Sequence, residues 1–286
     1  MDPSAASAST GMDVGVSAGR TIGRYRVLRP LGAGGMGAVF SAWDDALQRT
    51  VAIKVSRPGD EYEARLRAET QALARIRHPH VVQAFDAGRE GGVRFLVMEH
   101  LDGPTMRRWL DDRPGWRAVV DAFVQAGEGL AAVHGAGLVH RDIKPSNLVL
   151  DAAARVRVVD LGLARACGEA DVTVPMLGQC DAELTPANSA IGTPAYMAPE
   201  QHAGAPVDAR ADQFAFCSAL FEGLFGSRPF RARSVAQLRR AKVQSRLLAV
   251  DWSLVPRRIG RAIRRGLRPD PADRFARMDA LLGALT

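Results

Sequence analysis

The chain has 286 residues, 47% hydrophobic and 24% charged, enough to bury a sizeable core as one large domain or two lobes. No apolar run reaches the roughly 18 residues of a bilayer span; the best stretch, Phe214 to Phe225, is short and broken by Glu222. The net charge of +7 is almost wholly arginine, since Lys54, Lys144 and Lys242 are the only lysines, so bulk basicity reflects a compositional bias and does not by itself indicate a nucleic-acid partner.

Residues 1 to about 21 are rich in Ala, Ser and Gly, with no basic start and no apolar core, and are expected to form a disordered tail rather than a signal peptide. From Tyr25, Val27 and Leu28 the chain runs into Leu31 to Phe40, which reads as strand, glycine loop, strand. Gly32, Gly34 and Gly37 make G-x-G-x-x-G, whose bare amides can approach phosphates closely; a plain hairpin turn fits the same residues. Val39 and Phe40 continue as a strand where a dinucleotide fingerprint requires a helix. Val51 to Val55 is an apolar strand interrupted by Lys54, a charge that needs an acidic partner. The next helical segment, from about Asp60 to Arg77, offers Glu61, Glu63 and Glu69, with Leu66, Leu73 and Ile76 at helical spacing. Val81 to Ala87 and Val93 to Met98 read as further strands.

After Gly103 the pattern turns helical: Thr105 to Asp111 is short, and Trp116 to Gly135 is longer, with Val119, Val120, Phe123, Leu130 and Val133 as its buried stripe. Leu148 to Leu150 and Val156 to Val159 form an expected hairpin flanking a polar span, His140 to Asn147, and Asp160. Within that span Asp142 can orient and deprotonate an attacking hydroxyl. Asn147 and Asp160 offer oxygen to a hard cation carrying phosphates, Mg²⁺ or alternatively Mn²⁺. Lys144 would set a compact positive charge beside a phosphoryl group in flight, so phosphoryl transfer is the reaction this set fits.

His140-Arg141-Asp142-Ile143-Lys144-Pro145-Ser146-Asn147, followed by Asp160-Leu161-Gly162, resembles the catalytic loop and metal-binding DFG motif of the bacterial eukaryotic-like (Hanks-type) serine/threonine protein kinases. Lys144 resembles the serine/threonine branch rather than the tyrosine branch, and Gly192 to Gln201 has a bacterial style. The resemblance covers Tyr25 to about Leu285. It implies an α+β, bilobal protein-kinase-like fold: a small antiparallel β-rich lobe over residues 22–101 with one main helix, and a larger, mostly α-helical lobe over 102–286, with ATP between them.

It also implies roles. Lys54 would hold the α/β-phosphates and Glu69, nine residues before His78-Pro79, would hold Lys54. Gly32, Gly34 and Gly37 would cover the phosphates. Val39, Ala52 and Val149 would enclose adenine, with Met98 as gatekeeper of a hinge at Met98-Glu99-His100-Leu101. Asp142 would orient the substrate hydroxyl, Lys144 steady the γ-phosphate, and Asn147 and Asp160 bind the metal. The long aperiodic stretch from Leu163 to Ile191, ending in Gly192 to Glu200, resembles an activation segment and its peptide-positioning motif. A phosphate on Thr185 or Ser189, with Thr173 as runner-up, would pair with Arg141; a backbone carbonyl is the alternative partner. Asp212 would anchor the catalytic-loop backbone, and Arg274 would pair with Glu200. Leu161 departs from the phenylalanine of DFG but keeps an apolar residue, and Ser146 stands where kinases favouring basic substrates often carry an acid.

The implied function is phosphorylation of protein Ser/Thr hydroxyls by ATP, with autophosphorylation in a transient homodimer, no nucleic-acid partner, no membrane anchor and a cytoplasmic location. A pseudokinase would lack Lys54, Asp142 or Asp160, and all are present. Lys144, Gly192-Thr193 and Met197 to Glu200 argue against a small-molecule phosphotransferase. Cys167, Cys180 and Cys217 lack metal-type spacing and point to a reducing compartment, with a Cys167–Cys180 redox bridge as the alternative. Arg257, Arg261, Arg264, Arg265 and Arg268 are expected on one helical face, as a solvated stripe or a contact for an acidic partner.

Overall fold

The computed structural model describes residues 18–34, 37–56, 74–160, 165–166 and 193–286. They fall into two compact units: residues up to 56 together with 83–100, and residues 74–82 together with 101–286.

The first unit is antiparallel sheet. Its described strands are β1 (Thr21–Ile22), β2 (Tyr25–Gly34), β3 (Gly37–Asp44), β4 (Arg49–Ser56), β5 (Ala84–Glu90) and β6 (Val93–Glu99), in the order β1-β2-β3-β4-β6-β5. The period-two alternation of side chains divides β4 cleanly. Val51, Ile53 and Val55 are fully buried with Val27, Phe40, Ala42 and Val97, and Phe95 packs against this cluster. Ala52 and Lys54 therefore take the opposite face. Residues directly paired across an antiparallel ladder share a face. The pairs Val39 with Lys54, Lys54 with Leu96, and Ala52 with Met98 put Val39, Ala52, Lys54, Leu96 and Met98 together on it.

The glycine run lies mostly in the ladder, closer to the hairpin alternative than to an open loop. Gly32 and Gly34 lie in β2, paired with Val39 and Gly37, and the register slips between Val27 and Arg29 and again between Pro30 and Gly32. Pro30 lacks an N–H to give to the ladder, so irregular pairing is the natural place for it. The sheet also begins earlier than residue 22: Gly19 donates to Val27 O at 2.9 Å and Val27 N donates to Arg20 O at 2.9 Å. That pairing ties the last residues of the expected tail to the outer edge of β2.

The second unit is mainly helical: α1 (Met106–Asp111), α2 (Trp116–Gly135), α3 (Pro199–His202), α4 (Ala209–Phe225), α5 (Val235–Val243), α6 (Arg257–Gly266) and α7 (Met278–Leu285). Thr105 caps α1, accepting from Arg108 N. The stripe expected on α2 is buried, and α2 packs against α4 and α7. α4 is buried without interruption from Ala211 to Phe221, the pattern of a helix at the centre of its unit. Asp208 caps its start, and Gly226, in the left-handed region at φ 67°, ends it.

Short strands complete this unit. β7 (Leu138–Val139) pairs with β10 (Arg165–Ala166), and β8 (Leu148–Leu150) pairs with β9 (Val156–Val158). Val81 is not in the strand expected for it. It makes one parallel bridge to Val158, Val82 N donates to Val158 O at 3.0 Å, and Val158 N donates to His80 O at 2.9 Å. These bonds join residues 78–82 to the helical unit, not to the β-rich one expected over residues 22–101. Among the described residues no helix is long and apolar enough to cross a membrane.

Candidate active site

The polar span from His140 to Asn147 is shaped from beneath by Asp212. Its carboxylate, fully buried in α4, accepts from His140 N and Arg141 N at 2.8 Å each, and lies 2.8 Å from His134 Nε2. Burial alone would raise its pKa; the bonds from His134 and His140 outweigh burial and hold it below the ordinary carboxylate value. A buried acid in an apolar helix must find donors, and here they are the backbone of the span itself.

His140 extends the frame. Its Nε2 bonds to Val159 O at 3.0 Å and its Nδ1 accepts from Asp142 N at 3.3 Å. Arg141 and Asp160 both adopt positive φ, 69° and 61°, a region costly for side chains other than glycine. The anchors at Asp212 and the bond from Val159 N to Asn147 O at 3.0 Å impose such backbone.

Asp142 is nearly buried and its two oxygens differ. Oδ2 accepts from Lys144 Nζ at 2.7 Å and from Asn147 Nδ2 at 3.0 Å, whereas Oδ1 has no partner among the described residues. Asn147 Nδ2 also donates to Asp142 O at 2.8 Å. With its amide nitrogen directed at Asp142, Asn147 turns Oδ1 the other way, as an acceptor. The oxygens then on offer to a cation are an amide oxygen and the Asp160 carboxylate, all-oxygen and few in number. That composition suits a hard cation that keeps water and phosphate ligands. Among the described residues no group of three or more His, Cys, Asp or Glu is placed to hold a metal on its own.

In the β-rich unit, Lys54, Val39, Ala52 and Met98 share one sheet face, as set out above. Gly37 has φ 144°, which favours glycine, but Gly32 does not, and a methyl added to Gly32 would meet open space. Nothing among the described residues therefore requires glycine at 32. Glu99 N donates to Gln83 O at 2.9 Å, and neither backbone polar group of Leu101 has a partner among the described residues. Val149, in the helical unit, pairs with Arg157 in the β8–β9 hairpin. Glu69, Thr173, Thr185, Ser189, Cys167 and Cys180 lie outside the described residues. Arg141 is buried to 4% exposure.

Several supporting residues escaped the sequence reading. Gln201 accepts from Ala198 N at 3.0 Å and donates to Arg141 O at 2.9 Å, so α3 is tied directly to the residue before Asp142. Tyr196 bonds to Glu222, which Arg107 grips with both terminal nitrogens. Lys242, completely buried, donates to Pro194 O at 2.8 Å and Met197 O at 2.7 Å and lies 3.2 Å from His202 Nε2. It holds the stretch 194–197 by its backbone. The signal available was its rarity as one of three lysines.

Lys242 and His202 give this region a pH response. Burial, then the Lys242 and Arg239 charges, push His202 down to about 3 from 6.5. Burial likewise pushes Lys242 well below its ordinary value. Between pH 6.5 and 3 the unfolded chain binds a proton at His202 that the folded chain refuses, so stability is lost as pH falls through that window. The slope is up to about 1.4 kcal/mol per pH unit. His202→Gln is expected to flatten the decline in melting temperature between pH 7 and 5; equal slopes for variant and wild type would remove His202 as its source.

Residues 25–282 match the family described as the protein kinase domain. The chain is similar to the serine/threonine-protein kinase PknD of Mycobacterium tuberculosis, 35% identical over 266 residues, spanning 90% of this chain and 38% of that protein. It is similar to the serine/threonine-protein kinase PrkC of Bacillus subtilis, 31% identical over 264 residues, spanning 90% of this chain and 39% of that protein. The chain thus spans about two fifths of the length of these curated relatives. Among solved structures, the crystal structure of the Mycobacterium tuberculosis PknI kinase domain superposes with a TM-score of 0.67 at 27% identity, covering 94% of this chain and 98% of that one. With its antiparallel β-sheet unit, its helical unit and the match over residues 25–282, the chain belongs to the protein kinase family.

Proposed function

We propose that the chain is a serine/threonine protein kinase that transfers the γ-phosphate of ATP to protein hydroxyls with Mg²⁺, Mn²⁺ serving as the alternative. Family membership implies ATP, a divalent cation and a protein substrate. The observation that carries the finer reading is the divided Asp142 carboxylate: one oxygen held by Lys144 and Asn147, the other left to accept.

In this reading Asp142 Oδ1 receives the hydrogen of a Ser or Thr hydroxyl and aims its oxygen, while Oδ2 stays fixed. Lys144, already drawn to Asp142, presents its ammonium to the transferred group. Asn147 Oδ1 and the Asp160 carboxylate hold the cation, which when bound neutralises developing phosphate charge. On the β-rich unit, Lys54 binds the α/β-phosphates with Glu69 as its acid. The room left at Gly32 admits phosphate to the backbone of β2. Val39, Ala52 and Met98 supply an apolar face for adenine, with Val149 from the helical unit. Glu99 O and the Leu101 amide, which has no partner among the described residues, supply its hydrogen bonds. Catalysis by such a set is positioning and electrostatics. Thr185 and Ser189 are the proposed autophosphorylation sites, filled in trans within a transient homodimer and read by Arg141.

Removal of the metal tests the donor set. Labelling of a protein substrate by γ-labelled ATP is expected to need Mg²⁺ or Mn²⁺, to stop with a chelator, and to fall sharply in Asp160→Ala. Undiminished transfer by the chelated protein would defeat the assignment of Asn147 and Asp160.

A further inference from the structure

A cavity of about 1020 Å³ opens on the helical unit beside Ala195. Its charged lining is Arg107, Arg228, Arg231 and Arg233 against a single carboxylate, Glu222. That carboxylate is already engaged: Arg107 forks onto both its oxygens at 3.0 and 2.9 Å, and Arg228 Nε lies 3.6 Å from Oε1. Arg231 and Arg233 are exposed, and among the described residues neither guanidinium has an ion pair. The positive charge of the cavity is therefore uncompensated at its rim.

An arginine-rich chain scatters guanidinium groups over its surface, but this set is concave and sits at a particular place. Ala195 belongs to the stretch whose Pro194 and Met197 carbonyls Lys242 holds, and whose continuation at Gln201 bonds to Arg141 O, next to Asp142. The cavity is thus built onto the segment braced against the catalytic loop. Planar guanidinium forks match carboxylates bidentately. The one aromatic lining residue, Phe230, is buried and offers no platform for the bases of a nucleic acid.

We propose that this cavity binds acidic side chains flanking the phosphoacceptor of a protein substrate, with Arg231 and Arg233 as the carboxylate-recognising pair. The proposal rests on the reading of Asp142 as the residue that receives a protein hydroxyl, and it gives the substrate class a chemical character: acidic rather than basic sequence.

The test uses the full chain and two fluorescein-labelled serine peptides, one flanked by Asp and Glu, the other by Asn and Gln. Binding is read by anisotropy without ATP, and phosphorylation is read separately. The acidic peptide is expected to bind about tenfold more tightly than its amide counterpart, an advantage that shrinks with salt and disappears in Arg231→Ala/Arg233→Ala. Equal binding of the two peptides, or an unchanged preference in the double variant, would overturn the proposal. Displacement by a single-stranded oligonucleotide as readily as by unlabelled acidic peptide would also overturn it, marking the rim as a general polyanion surface. Acidic preference in binding with no phosphorylation of any peptide would instead strike the kinase reading and leave the anion site standing.

Discussion

Asp142→Asn is expected to lower the phosphotransfer rate about 10²- to 10⁴-fold while leaving ATP affinity within about twofold of wild type. Oδ2 of Asp142 faces two donors, Lys144 Nζ at 2.7 Å and Asn147 Nδ2 at 3.0 Å. An asparagine at this position must turn its carbonyl oxygen toward them, because its NH₂ would meet N–H groups head-on. The NH₂ then occupies the position of Oδ1, and a donor stands where the hydroxyl needs an acceptor. Size and neighbouring contacts are nearly preserved, so the loss reports chemistry rather than folding. Calorimetric ATP titration beside single-turnover transfer separates the two quantities, and equal losses in both would mean that Asp142 serves nucleotide binding instead.

Arg274→Ala is expected to destabilise the helical unit by about 3–5 kcal/mol, the range for removing one partner of a buried ion pair. The Arg274 side chain is completely buried. Its Nη1 and Nη2 meet the two oxygens of Glu200 at 2.6 and 2.8 Å, and it donates further to the carbonyls of Arg268, Arg210 and Pro269. Truncation strands a largely buried carboxylate and three carbonyl oxygens together. Arg274→Lys is expected to recover only part of the loss, since one ammonium cannot reproduce a fork that serves four groups. Urea unfolding followed by circular dichroism measures both, and a shift of less than about 1 kcal/mol for the alanine variant would show that the network contributes little.

The chemistry of the site was more legible in the sequence than its scaffolding. Asp142, Lys144, Asn147 and Asp160 lie within 19 residues of chain, and their types alone specify a base, a cation and oxygen ligands. The helix Trp116–Gly135 was legible because it carries a strong local signal, an apolar stripe at helical spacing. Asp212 and Arg274 were legible only through the family resemblance, which implies an anchor at one and a Glu200 partner for the other.

What sequence did not reveal depends on elements distant in the chain. Val81 has the composition of a strand residue, but its backbone is claimed by Val158, 77 positions later. The arginine stripe was read from helical spacing, yet α6 ends at Gly266, so Arg268 lies beyond it. Arg264 stacks over Trp252 and Arg265 donates to the carbonyls of Asp273 and Arg274, so part of the stripe has structural work to do. Lys242 and Gln201 act by holding backbone carbonyls, an interaction that leaves no sequence pattern. Lys242 does fit one argument the sequence allows: in a chain that otherwise uses arginine, each lysine stands where a compact ammonium is wanted, at Lys54, at Lys144 beside Asp142, and at Lys242 among two carbonyls and His202.

The central claim is that the open oxygen of Asp142 prepares a protein hydroxyl to take phosphate from ATP. The most direct measurement follows γ-labelled phosphate to the amino acid that receives it, by acid hydrolysis of a protein substrate after incubation with the wild-type chain, ATP and Mg²⁺. The account predicts label in phosphoserine and phosphothreonine. Label released only as inorganic phosphate, or found on a small molecule and on no protein side chain, would contradict it.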